Sequence, residues 1–111
     1  MFVKLEYVIA NAIVDLNDKN GGRSISIKNV KEYGERVTNE LNKKYGDNYI
    51  FQYSNEYMKD FLREYSDYFL MVDDTLYLKD GIASTDIIEH ILCYTPSKVL
   101  TVLLDTEFKV A

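Results

Sequence analysis

Residues 68–81, YFLMVDDTLYLKDG, contain the pattern that decides the fold. Two runs of apolar and β-prone residues, 68–72 and 75–79, flank the turn-forming pair Asp73 and Asp74. Runs of this length separated by two such residues are typical of antiparallel strands joined by a tight turn. The sequence therefore predicts a β-hairpin with an acidic tip.

Three helices are predicted before the hairpin. Apolar residues recur at steps of three and four from residue 3 to residue 16, as on one buried helix face. Ser26 stands where it can cap a second helix that ends near Lys44, before a glycine stop. Ser54 has the same position before a third apolar stripe, which predicts a helix over residues 55–65.

Two short segments lie between these helices. Residues 23–26 are compatible with a brief strand, and residues 49–53 are short, aromatic and bounded by turn residues. Such an aromatic run is extended in some proteins and a buried connection in others. The structure of residues 49–53 therefore stays open at this point.

Two further helices are predicted after the hairpin. Ser84 or Thr85 can cap the first, and Thr95 followed by Pro96 is a strong start signal for the second, with proline as its first residue. The β-branched content of residues 99–104 also fits a strand, but we expect a helix.

The predicted order is helix, short strand, helix, helix and hairpin, followed by one or two C-terminal helices. This order resembles that of winged-helix domains, which are helix-turn-helix modules with an appended β-hairpin. The resemblance covers about residues 3–80, and a helical extension follows over about 84–105. It implies a mostly helical α+β fold in a single domain spanning residues 1–111. A resemblance in element order does not transfer a function.

The charge balance points to a protein partner. Thirteen basic and 18 acidic side chains give a net charge of −5, which disfavours general capture of nucleic-acid phosphates. The excess is confined to residues 61–111, which hold 4 basic and 9 acidic groups. We therefore expect a partner with a basic surface.

Cysteine content and hydropathy predict a cytoplasmic location. Cys93 is the single cysteine, so the chain cannot form an internal disulfide, which fits a reducing compartment. The apolar run at residues 99–104 is far shorter than the roughly 20 residues that cross a bilayer. We expect no membrane segment.

The residues with reactive or metal-binding side chains do not predict an enzyme. Asp86, His90 and Cys93 are spaced so that a carboxylate, an imidazole and a thiol would share one side of a helix, as in a nucleophilic site. A small buried thiol beside a surface histidine is the commoner situation. One histidine and one cysteine cannot complete a zinc site without two carboxylates from elsewhere. We therefore expect no catalysis, no metal and no cofactor.

Tyrosine is the most unusual feature of the composition, with ten tyrosines and no tryptophan. Tyrosine combines an apolar ring with a polar tip and suits protein interfaces. Tyrosines at a core edge whose hydroxyls reach solvent are the ordinary alternative. We predict an interaction surface made of Tyr49, Tyr53 and Tyr68, together with Asp73 and Asp74.

Three functional hypotheses follow. The first is a non-enzymatic, acidic protein-interaction module, of the inhibitor or immunity type, that covers a basic site on its partner. The alternative is a transcriptional regulator that binds DNA as a homodimer, with contacts from Arg23, Lys28, Arg36 and Lys59 and dimer contacts from the C-terminal helices. The third is a thiol enzyme centred on Cys93.

Overall fold

The computed structural model describes residues 1–110, and Ala111, the last residue of the predicted domain, lies outside the described residues. These residues form a compact α+β structure with five α-helices and two small sheets. In chain order the elements are β1 (Phe2–Lys4), α1 (Leu5–Asn20), β2 (Ser24–Ser26), α2 (Ile27–Tyr45), β3 (Ile50–Gln52), α3 (Asn55–Glu64), β4 (Phe69–Val72), β5 (Thr75–Leu78), α4 (Ser84–His90) and α5 (Ser97–Asp105).

The predicted hairpin is confirmed, and it belongs to a three-stranded antiparallel sheet. The strand order is β2-β5-β4, so the predicted short strand before α2 is also confirmed. Asp73 has a φ of 54°, the left-handed conformation that tight two-residue hairpin turns require and that aspartate tolerates better than most residues.

Strand β5 of the hairpin is held at both ends by the segment that leads into α2. Near the hairpin tip, the backbone N–H of Ile27, the first residue of α2, donates to the carbonyl oxygen of Asp74 at 2.8 Å. At the opposite end, the N–H of Leu78 donates to the carbonyl oxygen of Arg23 at 2.8 Å. Pairing of β5 with β2 lies between these two contacts. Strand β5 is therefore held along its whole length.

The prediction that the first helix begins at Val3 is wrong. Residues Phe2–Lys4 form β1, which pairs in parallel with β3, and the helix begins at Leu5. Val3 is fully buried, and Lys4 has the extended backbone typical of an N-cap. The same pairing shows that residues 50–52, left open by the sequence, are extended.

The cap signals of the second and third helices are confirmed. The hydroxyl oxygen of Ser26 accepts from the N–H of Asn29, and that of Ser54 accepts from the N–H of Tyr57, each at 3.1 Å. Helix α1 runs beyond the expected last apolar residue to Asn20 and ends at Gly21, whose φ is 70°. A glycine in this conformation terminates a helix without side-chain strain.

Both C-terminal segments are helical, with different first residues from those expected. The N-cap of α4 is Ala83, not Ser84 or Thr85, because the Asp86 carboxylate accepts from the Ala83 N–H at 2.8 Å. Helix α5 is confirmed against the strand alternative. Its N-cap is Pro96, so proline precedes the first helical residue.

A buried polar contact joins three helices. The Asn11 side-chain amide of α1 donates to the Tyr33 hydroxyl of α2 at 2.5 Å and to the Leu103 carbonyl of α5 at 3.1 Å. The Tyr33 hydroxyl donates to the same carbonyl at 3.1 Å. Tyr33 is fully buried, so it is not one of the core-edge tyrosines whose hydroxyls reach solvent. Burial raises the pKa of Tyr33 to about 12.

Gly34 lets β3 approach α2 closely. A Cβ atom at this position would lie 2.3 Å from the Phe51 ring, well inside van der Waals contact. The ring therefore packs directly on the backbone of α2. Through the pairing of β3 with β1, the same contact anchors the strand that leads into α1.

We expect Tyr33→Phe to lower the free energy of unfolding by about 1–3 kcal/mol, because it removes the hydroxyl from a buried hydrogen-bonded contact. Urea denaturation at neutral pH measures this loss. Tyr57→Phe is the matched control, because Tyr57 is exposed, and we expect a change within about 0.5 kcal/mol. Equal losses in the two variants would contradict the structural role of Tyr33.

Comparison of the unmodified protein with the Tyr33→Phe variant also gives a test of pH dependence. The raised pKa means that the folded state favours the neutral phenol, so this contribution is fully present below the ordinary tyrosine pKa of about 10. It is lost as the pH rises through about 12. The Tyr33→Phe variant should therefore lose less stability than the unmodified protein between these two pH values.

Candidate protein-interaction surface

The outward face of the hairpin carries exposed apolar side chains. Leu70, Val72 and Tyr77 are 40%, 52% and 41% exposed, and Leu70 stands directly opposite Tyr77 in the register of β4 and β5. We call these three residues the hairpin strip. A shallow hollow of about 540 Å³ is lined by the strip and by residues 78–80. The intervening residues face the core, as the two-residue period of strands requires.

Unpaired carboxylates lie at both ends of the strip. We call these four residues the acidic rim; they are Asp67, Asp73, Asp74 and Asp80. All four are exposed, and within residues 1–110 none of their carboxylates forms an ion pair or a hydrogen bond. Lys79 is the only basic residue among residues 64–80. The hairpin therefore combines an apolar centre with a negative border.

The structure separates the three predicted interface tyrosines. Tyr49 is only 9% exposed, so the prediction that it belongs to an exposed surface is wrong. Its backbone N–H donates to the Asn42 side-chain oxygen at 2.6 Å, and its C=O accepts from the Asn42 side-chain N–H at 3.0 Å. Tyr53 is half-buried, with the Lys31 ammonium 4.7 Å from its ring centroid.

Tyr68 is the one predicted tyrosine that belongs to the hairpin. Its carbonyl oxygen accepts from the N–H of Lys79 at 2.9 Å, which continues the ladder one step beyond β4 and β5. Its ring is half-buried and stacks on the His90 ring, with 5.6 Å between centroids. Of the predicted surface, Tyr68, Asp73 and Asp74 therefore share one element.

Arg23, one of the four predicted nucleic-acid contacts, has a structural partner. Its guanidinium donates to the carbonyl oxygens of Lys79 and Ile82 at 2.6 and 2.8 Å. Both hydrogen bonds are partly buried, and they join the start of β2 to the segment that leaves the hairpin. A phosphate contact by Arg23 would require breaking these bonds.

Two of the other three basic residues are also engaged. The Arg36 guanidinium donates to the Glu107 carbonyl oxygen at 2.9 Å, and the Lys59 ammonium lies 3.9 Å from the Glu56 carboxylate. Lys28 is exposed and has no ion pair or hydrogen bond from its side chain within residues 1–110. Three of the four predicted DNA contacts thus already have protein partners.

The residues of the candidate thiol site do not assemble. Cys93 is exposed, so the expectation of a buried thiol is wrong, and its Sγ donates to the Glu89 carbonyl oxygen at 2.8 Å. Helix α4 ends at His90, so Cys93 lies in the 3₁₀ turn that follows. The His90 ring stacks on Tyr68, while the Asp86 carboxylate caps α4. Within residues 1–110 no hydrogen bond or ion pair joins any two of these three side chains.

Residues 1–110 contain no group of three or more histidine, cysteine, aspartate or glutamate side chains arranged to hold a metal ion. None of the helices within that range is both long and apolar enough to cross a membrane.

Sequence reasoning missed two features near this surface. The first is the hairpin strip: β4 is apolar at all four positions, FLMV, and because successive side chains of a strand point to opposite faces, such a strand places apolar residues on both faces of the sheet. The second is a hydrogen bond from the Tyr65 hydroxyl to the Glu6 carboxylate at 2.8 Å, which links the end of α3 to α1. Burial and the neighbouring carboxylate raise the pKa of Tyr65. No local pattern indicates a contact between residues so far apart in sequence.

We expect His90→Ala to leave the rate at which iodoacetamide alkylates Cys93 unchanged within about twofold, because the imidazole contacts Tyr68 and not the thiol. Mass spectrometry of the folded protein over time measures the rate. A tenfold decrease would instead indicate that His90 activates the thiol, as in a nucleophilic site.

In comparisons with known proteins, the chain matches no protein-family model, no curated protein and no solved structure.

Proposed function

We propose that this protein is a non-enzymatic interaction module that binds a basic surface of another protein through its β-hairpin, on a winged-helix-like scaffold. The observation that carries the proposal is the exposed hairpin strip, which lies between the carboxylates of the acidic rim. Inhibitors and immunity-type proteins act in this way when they cover a basic site on their partner.

The apolar centre supplies a reason for association. Leu70 and Val72 leave a large fraction of their side chains in water, as does Tyr77 across from them. Fully burying a side chain of this size is worth about 1.5–3 kcal/mol. Interfaces typically combine such a centre with a polar border, and tyrosine is enriched among the residues that contribute most.

The acidic rim supplies a reason for selectivity. Its carboxylates have no cation within residues 1–110, so a partner can pair with them without displacing an internal ion pair. Lysine or arginine side chains around an apolar patch on the partner would complement both the centre and the border. Charge of this kind accelerates association and makes it sensitive to salt.

The test compares capture of host proteins by four forms of the immobilised protein: unmodified, Asp73→Asn/Asp74→Asn, Leu70→Ser and the control Glu32→Gln/Glu35→Gln. The control removes the same charge from exposed α2 positions. Asparagine tolerates the left-handed backbone of residue 73, so the turn is retained.

We expect both hairpin variants to retain a bound basic protein about fivefold less than the unmodified protein, and the control to retain it equally. Quantitative mass spectrometry measures retention. Equal retention by all four forms, or no retained basic protein, would contradict the proposal.

A DNA-binding regulator remains the second candidate, and the connectivity of the sheet favours it. Strand β2 precedes α2 and α3, the hairpin follows them, and β5 pairs with β2, an arrangement that resembles the element order of winged-helix domains. The charges argue against it, because Lys28 is the only one of the four predicted contacts without an internal partner.

We expect no saturable binding of a fluorescein-labelled DNA duplex at about 50 mM salt, because the net charge is −5 and three of the four predicted contacts already have protein partners, so little counterion release is gained. Fluorescence anisotropy measures binding. Binding that weakens steeply with salt and is reduced by Lys28→Ala would favour the regulator over the interaction module.

A further inference from the structure

Strand β4 forms one edge of the three-stranded sheet, and its outer side has unused hydrogen-bonding groups. Along an antiparallel strand, the N–H and C=O of successive residues point alternately towards and away from the neighbouring strand. The hydrogen bond from the Lys79 N–H to the Tyr68 carbonyl oxygen shows that Tyr68 points towards β5. The N–H and C=O of Phe69 and of Met71 therefore point away from β5. The Phe69 N–H donates to the Tyr65 carbonyl at 3.0 Å. The Phe69 C=O and the N–H and C=O of Met71 therefore face the open edge without a partner in the sheet.

The strand sequence at this edge carries none of the residue types that usually discourage pairing with another chain. Edge strands in natural proteins carry a lysine, a proline, a bulge or an inward charge that discourages a new neighbour. The sequence of β4, FLMV, contains no charged residue and no proline, and its register with β5 is continuous. Leu70 and Val72 are exposed on the strip, where they would pack beside the side chains of an added strand.

The charges beside β4 disfavour a second copy of this chain as that added strand. Antiparallel pairing places outward-facing residues opposite one another, so Phe69 of one copy lies opposite Met71 of the other or the two Met71 residues face each other. The first register brings Asp67 opposite Asp73 of the second copy, and the second leaves the same two carboxylates as diagonal neighbours. Like charges directly opposite one another destabilise a strand pair. Parallel pairing would bring Asp73 and Asp74 beside the same residues of the second copy. A strand with lysine or arginine at its ends would instead be attracted by these carboxylates.

We propose that β4 accepts an extended segment of a partner protein as a fourth strand, with apolar residues in its middle and lysine or arginine at both ends. The proposal rests on the function proposed above and specifies the form that the partner takes. Main-chain hydrogen bonds to Met71 and Phe69 hold the segment in register. Contacts with Leu70 and Val72, and ion pairs with the acidic rim, select its sequence.

The test uses a capped eight-residue probe peptide with alternating valine and threonine in the middle and two lysines at each end. NMR measures the hydrogen-exchange rates of the backbone amides in the full-length protein, with and without the peptide. We expect the peptide to slow exchange of the Met71 amide at least tenfold. A peptide with glutamates in place of the lysines, and one with N-methylated backbone nitrogens on its bonding edge, should leave that exchange unchanged.

Variants of the protein test the charge contribution. We expect Asp67→Asn/Asp74→Asn to weaken binding of the lysine peptide about fivefold, and Glu32→Gln/Glu35→Gln to leave it unchanged. Circular dichroism checks that both variants remain folded. No slowing of Met71 exchange at millimolar peptide, or equal binding of the glutamate peptide, would overturn the proposal. So would a concentration-dependent dimer of the protein alone with a protected Met71 amide, because that result identifies a second copy as the occupant.

Failure of this inference differs from failure of the proposed function. If the hairpin variants lose the captured host protein but no strand-like probe protects Met71, the hairpin binds its partner without strand addition. If those variants retain the host protein equally, the hairpin is not the binding surface.

Discussion

The pairing of β5 with β2 is the interaction on which the rest of the structure depends. Strand β5 is central in its sheet, so it joins the hairpin to the short strand that leads directly into α2. The peptide contacts at both ends of β5 and the guanidinium of Arg23 strengthen this connection. The exposed strip is consequently presented in a fixed orientation, and a binding partner would pay little ordering entropy at this element.

Local chemistry predicts much of the fold. The turn at Asp73 and Asp74, the caps at Ser26 and Ser54 and the helix stops follow from preferences that act within a few residues. The parallel pair of β1 and β3 could not be predicted in this way, because it joins Phe2 to Ile50. Each of these strands is three residues long, too short for its own periodicity to identify it.

The candidate site was only partly predicted, because long-range contacts decide which of its side chains are available. Composition indicates an excess of negative charge in the second half of the chain, but it does not indicate which charges are already paired. Arg23 and Arg36 look available in the sequence and are bound to backbone carbonyls in the structure. Tyr49 looks like an interface residue and is buried in the structure, with its backbone bonded to the Asn42 side chain. Such contacts depend on elements that only the folded chain brings together.

The contact between Gly34 and the Phe51 ring should make the evolution of these two positions interdependent. A larger residue at 34 would push β3 away from α2, and the displacement would pass through β1 to the first turn of α1. A smaller residue at 51 would leave a gap beside the glycine. In distant relatives, the two positions should therefore change together, with a larger residue at one accompanied by a smaller residue at the other.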